Sequence, residues 1–161
     1  MTINHTRKFL RLQGYEFDDA SFDELARWMR WPYVFCASAV VAGVTLASPW
    51  ILWGLAAFAA STVFLPSHPF NYPYNYVVRH ITGTRALPPG TTQGKFGCGM
   101  GALMLVGIGY AFYTGATTVG YALGGAMAAM VTFLAVTQIC IPSLLYKALF
   151  GHKTISVTQP A

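Results

Sequence analysis

Four long apolar segments, grouped in two pairs on either side of a polar central stretch, dominate the pattern of this chain. They cover residues 32–48, 50–65, 96–114 and 119–146, and none contains a charged side chain. A helix needs about 20 apolar residues to cross a bilayer core of about 30 Å, and each segment is near that length. The pattern therefore predicts four transmembrane helices, paired as two tight hairpins that turn near residues 48–49 and 115–118.

An amphipathic helix is predicted ahead of the first apolar segment. Apolar side chains recur there at helical spacing, at Phe22, Leu25, Ala26 and Met29. Ser21 and Glu24 have the spacing of a capping box, which would begin such a helix. We expect the helix to lie among the lipid headgroups, with Phe22, Leu25 and Trp28 available to contact partner subunits.

A second amphipathic helix is predicted within the segment "SHPFNYPYNYVVRH", residues 67–80. Pro69 cannot continue the preceding helix, whereas Pro73 suits the first turn of a new one. The apolar residues then repeat with helical spacing at Tyr74, Val77, Val78 and Ile81. Gly83 can close this helix, so the segment is interpreted as an interfacial elbow that joins the two hairpins.

The predicted fold class is all-α, an integral membrane four-helix bundle with two amphipathic interfacial helices. Residues 1–31 form a cytoplasmic N-terminal segment with the first surface helix, and residues 32–65 form hairpin one. A cytoplasmic loop over residues 66–95 contains the second surface helix. Residues 96–149 form hairpin two, and residues 150–161 form a cytoplasmic tail.

Composition and charge agree with a membrane protein. The chain is 55% hydrophobic and 9% charged, with a mean hydropathy of +0.48, whereas about 25% of the residues of a soluble domain are charged. All ten Lys and Arg residues lie within residues 7–30, 79–95 and 147–153. The positive-inside rule then predicts that both termini and the central loop face the cytoplasm. The net charge of +5 favours contact with anionic phospholipid, and we predict no nucleic-acid partner.

The first apolar segment begins behind a charged stretch, so we expect it to be an anchor and not a cleaved signal peptide. Small residues recur four apart in the second half of the chain. Gly97 and Gly101 form one such pair, and Gly120 and Gly124 form another. This spacing allows helix backbones to approach closely. The glycines can face a neighbouring helix of the same chain or another subunit, and the spacing leaves both arrangements open.

The cysteines and two of the histidines are the candidates for chemistry. Cys36, Cys98 and Cys140 are all predicted in the cytoplasmic half of the bilayer, and His68 and His80 lie at the same surface. These side chains could bind a metal or exchange thiols, yet no pair has the C-x-x-C spacing of such sites. Cysteine is also readily buried as a small apolar residue. We therefore predict packing, with no metal site and no catalytic residue.

Other membrane functions fit the residues poorly. None of the four histidines lies within an apolar segment, which disfavours haem held by two histidines. The segments also lack the ionisable side chains that proton-coupled transporters use. A small-solute channel would need a polar stripe, and only Thr137 with Gln138 suggests one.

The arrangement of motifs resembles a family of small bacterial integral membrane proteins, the domain of unknown function 4395. The resemblance rests on His68 and Pro69 after the second apolar segment, on "GKFGCGMGALML" at the start of the third, and on "CIPSLLY" at residues 140–146. It covers about residues 30–150 and implies a bacterial inner-membrane setting. Similar proteins often carry a second cysteine where Ser143 stands, a difference that argues against thiol chemistry.

We predict a non-catalytic accessory or scaffold subunit of a larger bacterial inner-membrane complex, with electron transfer or photosynthesis as examples of such complexes. Its partners would be other membrane subunits and phospholipid, and the tail of a lipid or quinone could fill its grooves. Tyr74, Val77 and Ile81 would contact partners from the elbow. The alternative is a thiol-redox or metal-binding membrane protein that uses the cysteines and histidines named above.

Overall fold

The structure, a computed structural model, describes residues 15–16, 28, 30–69, 71–83, 86–87, 89–137, 141, 145, 148–149 and 155–156. Its long helices are α1 (Trp31–Thr45), α2 (Pro49–Phe64), α5 (Thr92–Tyr113) and α6 (Thr117–Thr137). Between α2 and α5 lie α3 (Asn71–Pro73), a π-helical turn (Tyr74–Val78) and α4 (Arg79–Thr82). The described helices thus confirm the predicted helical class.

A short strand pair was not predicted. Strand β1 (Tyr15–Glu16) runs parallel to strand β2 (Ile155–Ser156), with Tyr15 opposite Ile155. Two residues per strand are too few to show the alternation by which sequence patterns reveal a strand. The predicted helix containing Phe22 and Leu25 lies outside the described residues.

Both hairpins close with the same backbone motif. After α1, Ala47 has a left-handed φ of 44°, and the amide of Ser48 donates to the Gly43 carbonyl at 2.9 Å. After α5, Gly115 has a φ of 78°, and the amide of Ala116 donates to the Ala111 carbonyl at 2.9 Å. Bonds of this span around a left-handed residue form the Schellman motif, which ends a helix and reverses the chain.

The four long helices pack as antiparallel neighbours. Helix α2 packs most extensively on α5, and α1 packs on α6, in addition to the contacts within each hairpin. Their shared core consists of Val40, Val44, Leu52, Leu55, Ala56, Leu105, Ile108, Phe112 and Met127. The arrangement brings both hairpin turns to one end of the bundle and the elbow to the other.

Two of the helices, Thr92–Tyr113 and Thr117–Thr137, are long and apolar enough to cross a membrane. The helices Trp31–Thr45 and Pro49–Phe64 are also apolar but shorter. Large apolar side chains point outward from the bundle, including Leu103 and Phe133. In this respect the surface differs from that of a typical water-exposed helix, whose outer face is polar.

The elbow is helical as predicted, but its apolar side chains do not share one buried face. Tyr74 is 5% exposed, whereas Val77 is 56% and Ile81 80% exposed. The π turn explains the difference, because its i→i+5 hydrogen bonds place more residues in each turn than an α-helix has. Gly83 ends the segment with a left-handed φ of 65°, as its position predicted.

Candidate functional site

An apolar cavity of about 360 Å³ lies at the elbow end of the bundle. All four long helices contribute to its wall, with Cys36 from α1, Ala59 from α2, Cys98 from α5 and Met130 from α6. The elbow and the loop that follows it add His68 and Leu87. The cavity therefore depends on the packing of both hairpins, since neither hairpin encloses it alone.

Two of the three predicted cysteines meet at this cavity. Cys36 and Cys98 are both half-buried, and both side chains line this cavity. They come from α1 and α5, helices that pack mainly on other partners, so only the complete bundle brings the thiols together. Cys140 lies outside the described residues.

His68 lines the same cavity and is held in a weakly polar environment. Its ring centroid lies 6.0 Å from that of Phe58 in an edge-on arrangement. Burial lowers the pKa of His68 from 6.5 to about 4, because the charged imidazolium is poorly solvated there. The imidazole is thus neutral near pH 7. His80, the other histidine candidate, is exposed on α4 and does not line the cavity.

An asparagine of the elbow positions one wall of the cavity. The Leu87 amide donates to Asn75 Oδ1 at 2.8 Å, and Asn75 Nδ2 donates to the Leu87 carbonyl at 3.4 Å. The side chain thereby satisfies both backbone groups of Leu87 and holds that buried residue against the cavity. The sequence analysis did not single out Asn75, since its partner is 12 residues away and no local pattern links them.

The start of α5 forms the polar rim. Thr91 caps the helix, its hydroxyl accepting a hydrogen bond from the Gly94 amide at 3.1 Å. Lys95, one turn later, carries the formal charge among the described residues that line the cavity. The rim is therefore cationic, whereas the interior is lined mainly by carbon and sulfur atoms.

The predicted glycine pairs have two different surroundings. Gly97 and Gly101 line the cavity. A Cβ atom on Gly120 would lie 2.7 Å from Phe112, and one on Gly124 would lie 2.8 Å from Val44. The structure therefore uses Gly120 and Gly124 for close packing within the chain.

Two of the predicted partner-contact residues contact each other. The rings of Trp28 and Tyr74 have centroids 5.0 Å apart and are tilted by 52°. This contact connects the residues ahead of α1 to the elbow. Val77 and Ile81 remain exposed, whereas Phe22 and Leu25 lie outside the described residues.

Within the described part of the chain, no three His, Cys, Asp or Glu side chains are grouped closely enough to hold a metal ion. Cys36, Cys98 and His68 share a cavity without forming such a group. The described residues thus form a partly open apolar cavity lined by a neutral imidazole, two thiols and one ammonium group.

These features define a small helical protein with two helices suited to crossing a membrane and an apolar cavity between its helical hairpins. Residues 26–150 match the model of one protein family, described as domain of unknown function (DUF4395). The chain belongs to this family, which confirms the resemblance seen in the sequence. No curated protein and no solved structure matches the chain.

Proposed function

We propose that the protein is a multi-pass protein of the bacterial inner membrane in which α1, α2, α5 and α6 all span the bilayer. The distribution of side chains supports this placement. At the hairpin-turn end, the ring centroid of Trp53 lies 5.5 Å from that of Trp50 and 5.6 Å from that of Tyr113. Aromatic clusters of this kind are found at membrane interfaces. The cations Arg30 and Lys95 lie at the elbow end.

Both termini and the elbow would face the cytoplasm under this proposal, because the cations lie on that side. Helix α1 has 15 residues, a length of about 23 Å. It is shorter than a bilayer core of about 30 Å, so local thinning and the flanking Trp31 would accommodate it. A reporter that is active only in the cytoplasm, fused to either terminus, tests the orientation. We expect both fusions to be active, and an inactive reporter at either terminus would contradict the orientation.

The proposed role is that of a non-catalytic accessory subunit that holds a lipid-like molecule. The cavity is the observation that carries this role, because its 360 Å³ falls within the range of about 300–1,000 Å³ typical of ligand sites. Met104, Met127 and Met130 line it, and methionine adapts readily to flexible apolar ligands. An acyl chain or the isoprenoid tail of a quinone fits this lining.

The outer face of α6 supports association with other membrane subunits. Ala122, Gly125, Ala126 and Ala129 are all exposed there. A Cβ atom on Gly125 would meet nothing within 4 Å, unlike one on its neighbour Gly124. The inner glycines of α6 are thus occupied by the chain itself, whereas an outer small-residue face is open to a second helix.

The ligand is tested by filling the cavity. Ala59→Phe places a ring in the cavity wall, and Ala57→Phe adds the same ring to the exposed side of the same helix. We expect lipid or quinone to co-purify with the wild type and with the Ala57 variant, and to be lost from the Ala59 variant. Mass spectrometry of the extracted protein measures this. A wild type that carries no apolar ligand would contradict the proposal.

The subunit role is tested by gentle extraction from native membranes. We expect the protein to migrate with other membrane proteins, and Gly125→Ile to weaken that association. Gly107→Ile is the matched control, because Gly107 also faces open space but lies on α5. A lone monomer in mild detergent would count against an accessory role.

Thiol-disulfide chemistry is a second candidate function, favoured by the presence of Cys36 and Cys98 at one cavity. Their oxidation would join the two sulfurs and pass two electrons and two protons to a quinone, which would become the quinol. Alkylation of purified protein before and after treatment with a soluble quinone measures the change. Unchanged thiols in the wild type after quinone treatment would exclude this function. It would also be excluded if the Cys36→Ser variant lost thiols to the same extent as the wild type.

A further inference from the structure

A second pocket, of about 330 Å³, lies in the elbow and differs from the cavity in chemistry. Polar side chains surround it, including those of Ser67, Tyr72, Asn75, Tyr76, Arg79 and His80. Two of these residues are basic, and the others offer hydroxyl or amide groups that donate hydrogen bonds. The pocket thus presents donors and positive charge to a ligand.

Tyr72, Asn75, Tyr76 and Arg79 recur three and four residues apart, a helical spacing that places them on one side of this short segment. The rings of Tyr72 and Tyr76 are stacked, with centroids 6.4 Å apart and planes within 7°. The segment includes the π turn Tyr74–Val78, in which the amide of Arg79 donates to the Tyr74 carbonyl five residues earlier. Single π turns of this kind occur frequently at functional sites in other proteins.

The charge of the pocket indicates an anionic ligand. None of the described residues that line it carries a carboxylate, and the sequence has no Asp or Glu after residue 24. The guanidinium group of Arg79 offers a planar set of donors, which matches the oxygen atoms of a phosphate. Tyr76 and Ser67 can add hydroxyl donors to the same ligand.

The neighbours of the pocket indicate where the phosphate comes from. Tyr76 is 73% exposed, and the adjacent Val77 and Ile81 are also largely exposed. Exposed apolar side chains beside basic ones are typical of helices that lie in the lipid headgroup region. A free phosphate ion would make no use of these apolar groups, whereas a phospholipid would contact both sets.

We propose that the elbow pocket binds the phosphate of an anionic phospholipid headgroup through Arg79 and His80, with Val77 and Ile81 against the acyl chains. This inference rests on the membrane placement proposed above. It does not rest on the ligand of the cavity or on the accessory role.

Native mass spectrometry of the full chain, released from bilayer discs, tests the inference. Discs of phosphatidylglycerol are compared with discs of phosphatidylcholine, and inorganic phosphate is added in a third arm. We expect phosphatidylglycerol to be retained, phosphatidylcholine to be retained at least fivefold less, and millimolar phosphate to displace neither lipid. Arg79→Gln should lower phosphatidylglycerol retention at least fivefold.

Arg30→Gln removes the same charge at the same end of the bundle without altering the pocket, and it should retain the lipid within twofold of the wild type. Thermal unfolding of both variants confirms that each is folded. Equal retention of the two lipids, or full retention by a folded Arg79→Gln, would overturn the headgroup site. Displacement by phosphate would make it a site for the free ion. Failure of the protein to enter the discs would overturn the membrane placement instead.

Discussion

The indole ring of Trp53 lies against the backbone of Gly109, so that a Cβ atom on Gly109 would be 2.5 Å from the indole nitrogen. The same nitrogen donates to the Val106 carbonyl at 3.3 Å. Helices α2 and α5, which pack together most extensively, are therefore joined by a large ring that fits only because residue 109 has no side chain.

Gly109→Ala is expected to lower the stability of the bundle, since the new methyl group must displace the ring or separate the helices. Overpacking of this kind costs about 1–3 kcal/mol. Thermal unfolding in mild detergent measures the effect. Gly107→Ala is the control, because a Cβ atom there would meet nothing within 4 Å. Equal melting temperatures for the two variants would show that the close approach is absent.

Reciprocal substitutions in the two hairpin turns are expected to change the free energy of unfolding in opposite directions. Ala47 and Gly115 both have left-handed φ angles, and this conformation costs a residue with a Cβ atom about 1–2 kcal/mol. Ala47→Gly should therefore raise the free energy of unfolding by about 1 kcal/mol, and Gly115→Ala should lower it by a similar amount. Unfolding of both variants in the same detergent checks the signs. A stabilising Gly115→Ala would contradict the turn geometry.

Asn75 is expected to determine whether the loop before α5 stays in place. Asn75→Ala removes both hydrogen bonds to Leu87, and we expect a loss of stability of about 1–3 kcal/mol. Faster proteolysis of the loop would accompany it. Asn75→Asp keeps the acceptor for the shorter bond and should have the smaller effect at neutral pH. If the alanine variant resists protease as the wild type does, the side chain does not hold the loop.

Burial of His68 is expected to make the folded protein less stable in weakly acidic solution. The pKa is 6.5 in the unfolded chain and about 4 in the folded protein. Above pH 6.5 the imidazole is neutral in both states and adds no pH dependence. As the pH falls from 6.5 to 4, protons bind mainly to the unfolded chain, so the free energy of unfolding decreases.

Unfolding measured across this pH range for the wild type and His68→Gln tests the effect, because carboxylates and other groups titrate equally in both proteins. The variant should show the shallower slope. Identical slopes for the wild type and His68→Gln would contradict burial of this ring.

Much of the secondary structure follows from local signals. Helix α2 begins at Pro49, next to the turn expected near residues 48–49, and Gly83 ends the elbow with a left-handed φ, as its position in the sequence predicted. The apolar segments gave the long helices, although α1 is shorter than its segment and begins at Trp31. Propensities act within a few residues, so one chain carries enough information to place these ends.

The cavity could be predicted only in part. The sequence suggested that Cys36, Cys98 and His68 lie at the same end of the bundle, but not that they share a wall with Leu87. The elbow was predicted as an amphipathic helix, and the structure adds a π turn over Tyr74–Val78, with Tyr74 buried and Val77 and Ile81 exposed. Local spacing could not reveal this, because the register of a helix also depends on contacts such as that of Tyr74 with Trp28.

The sequence by itself determined the helical class, the tight hairpin turns and the membership of a family, because each depends on local composition and order along the chain. Tertiary structure alone decided which faces meet: Trp53 on Gly109, Val44 on Gly124, and two distant thiols at one cavity. The physical reason is that close packing depends on the shapes of side chains far apart in sequence. Many pairings satisfy the same apolar pattern, and only the fit between particular surfaces selects one of them.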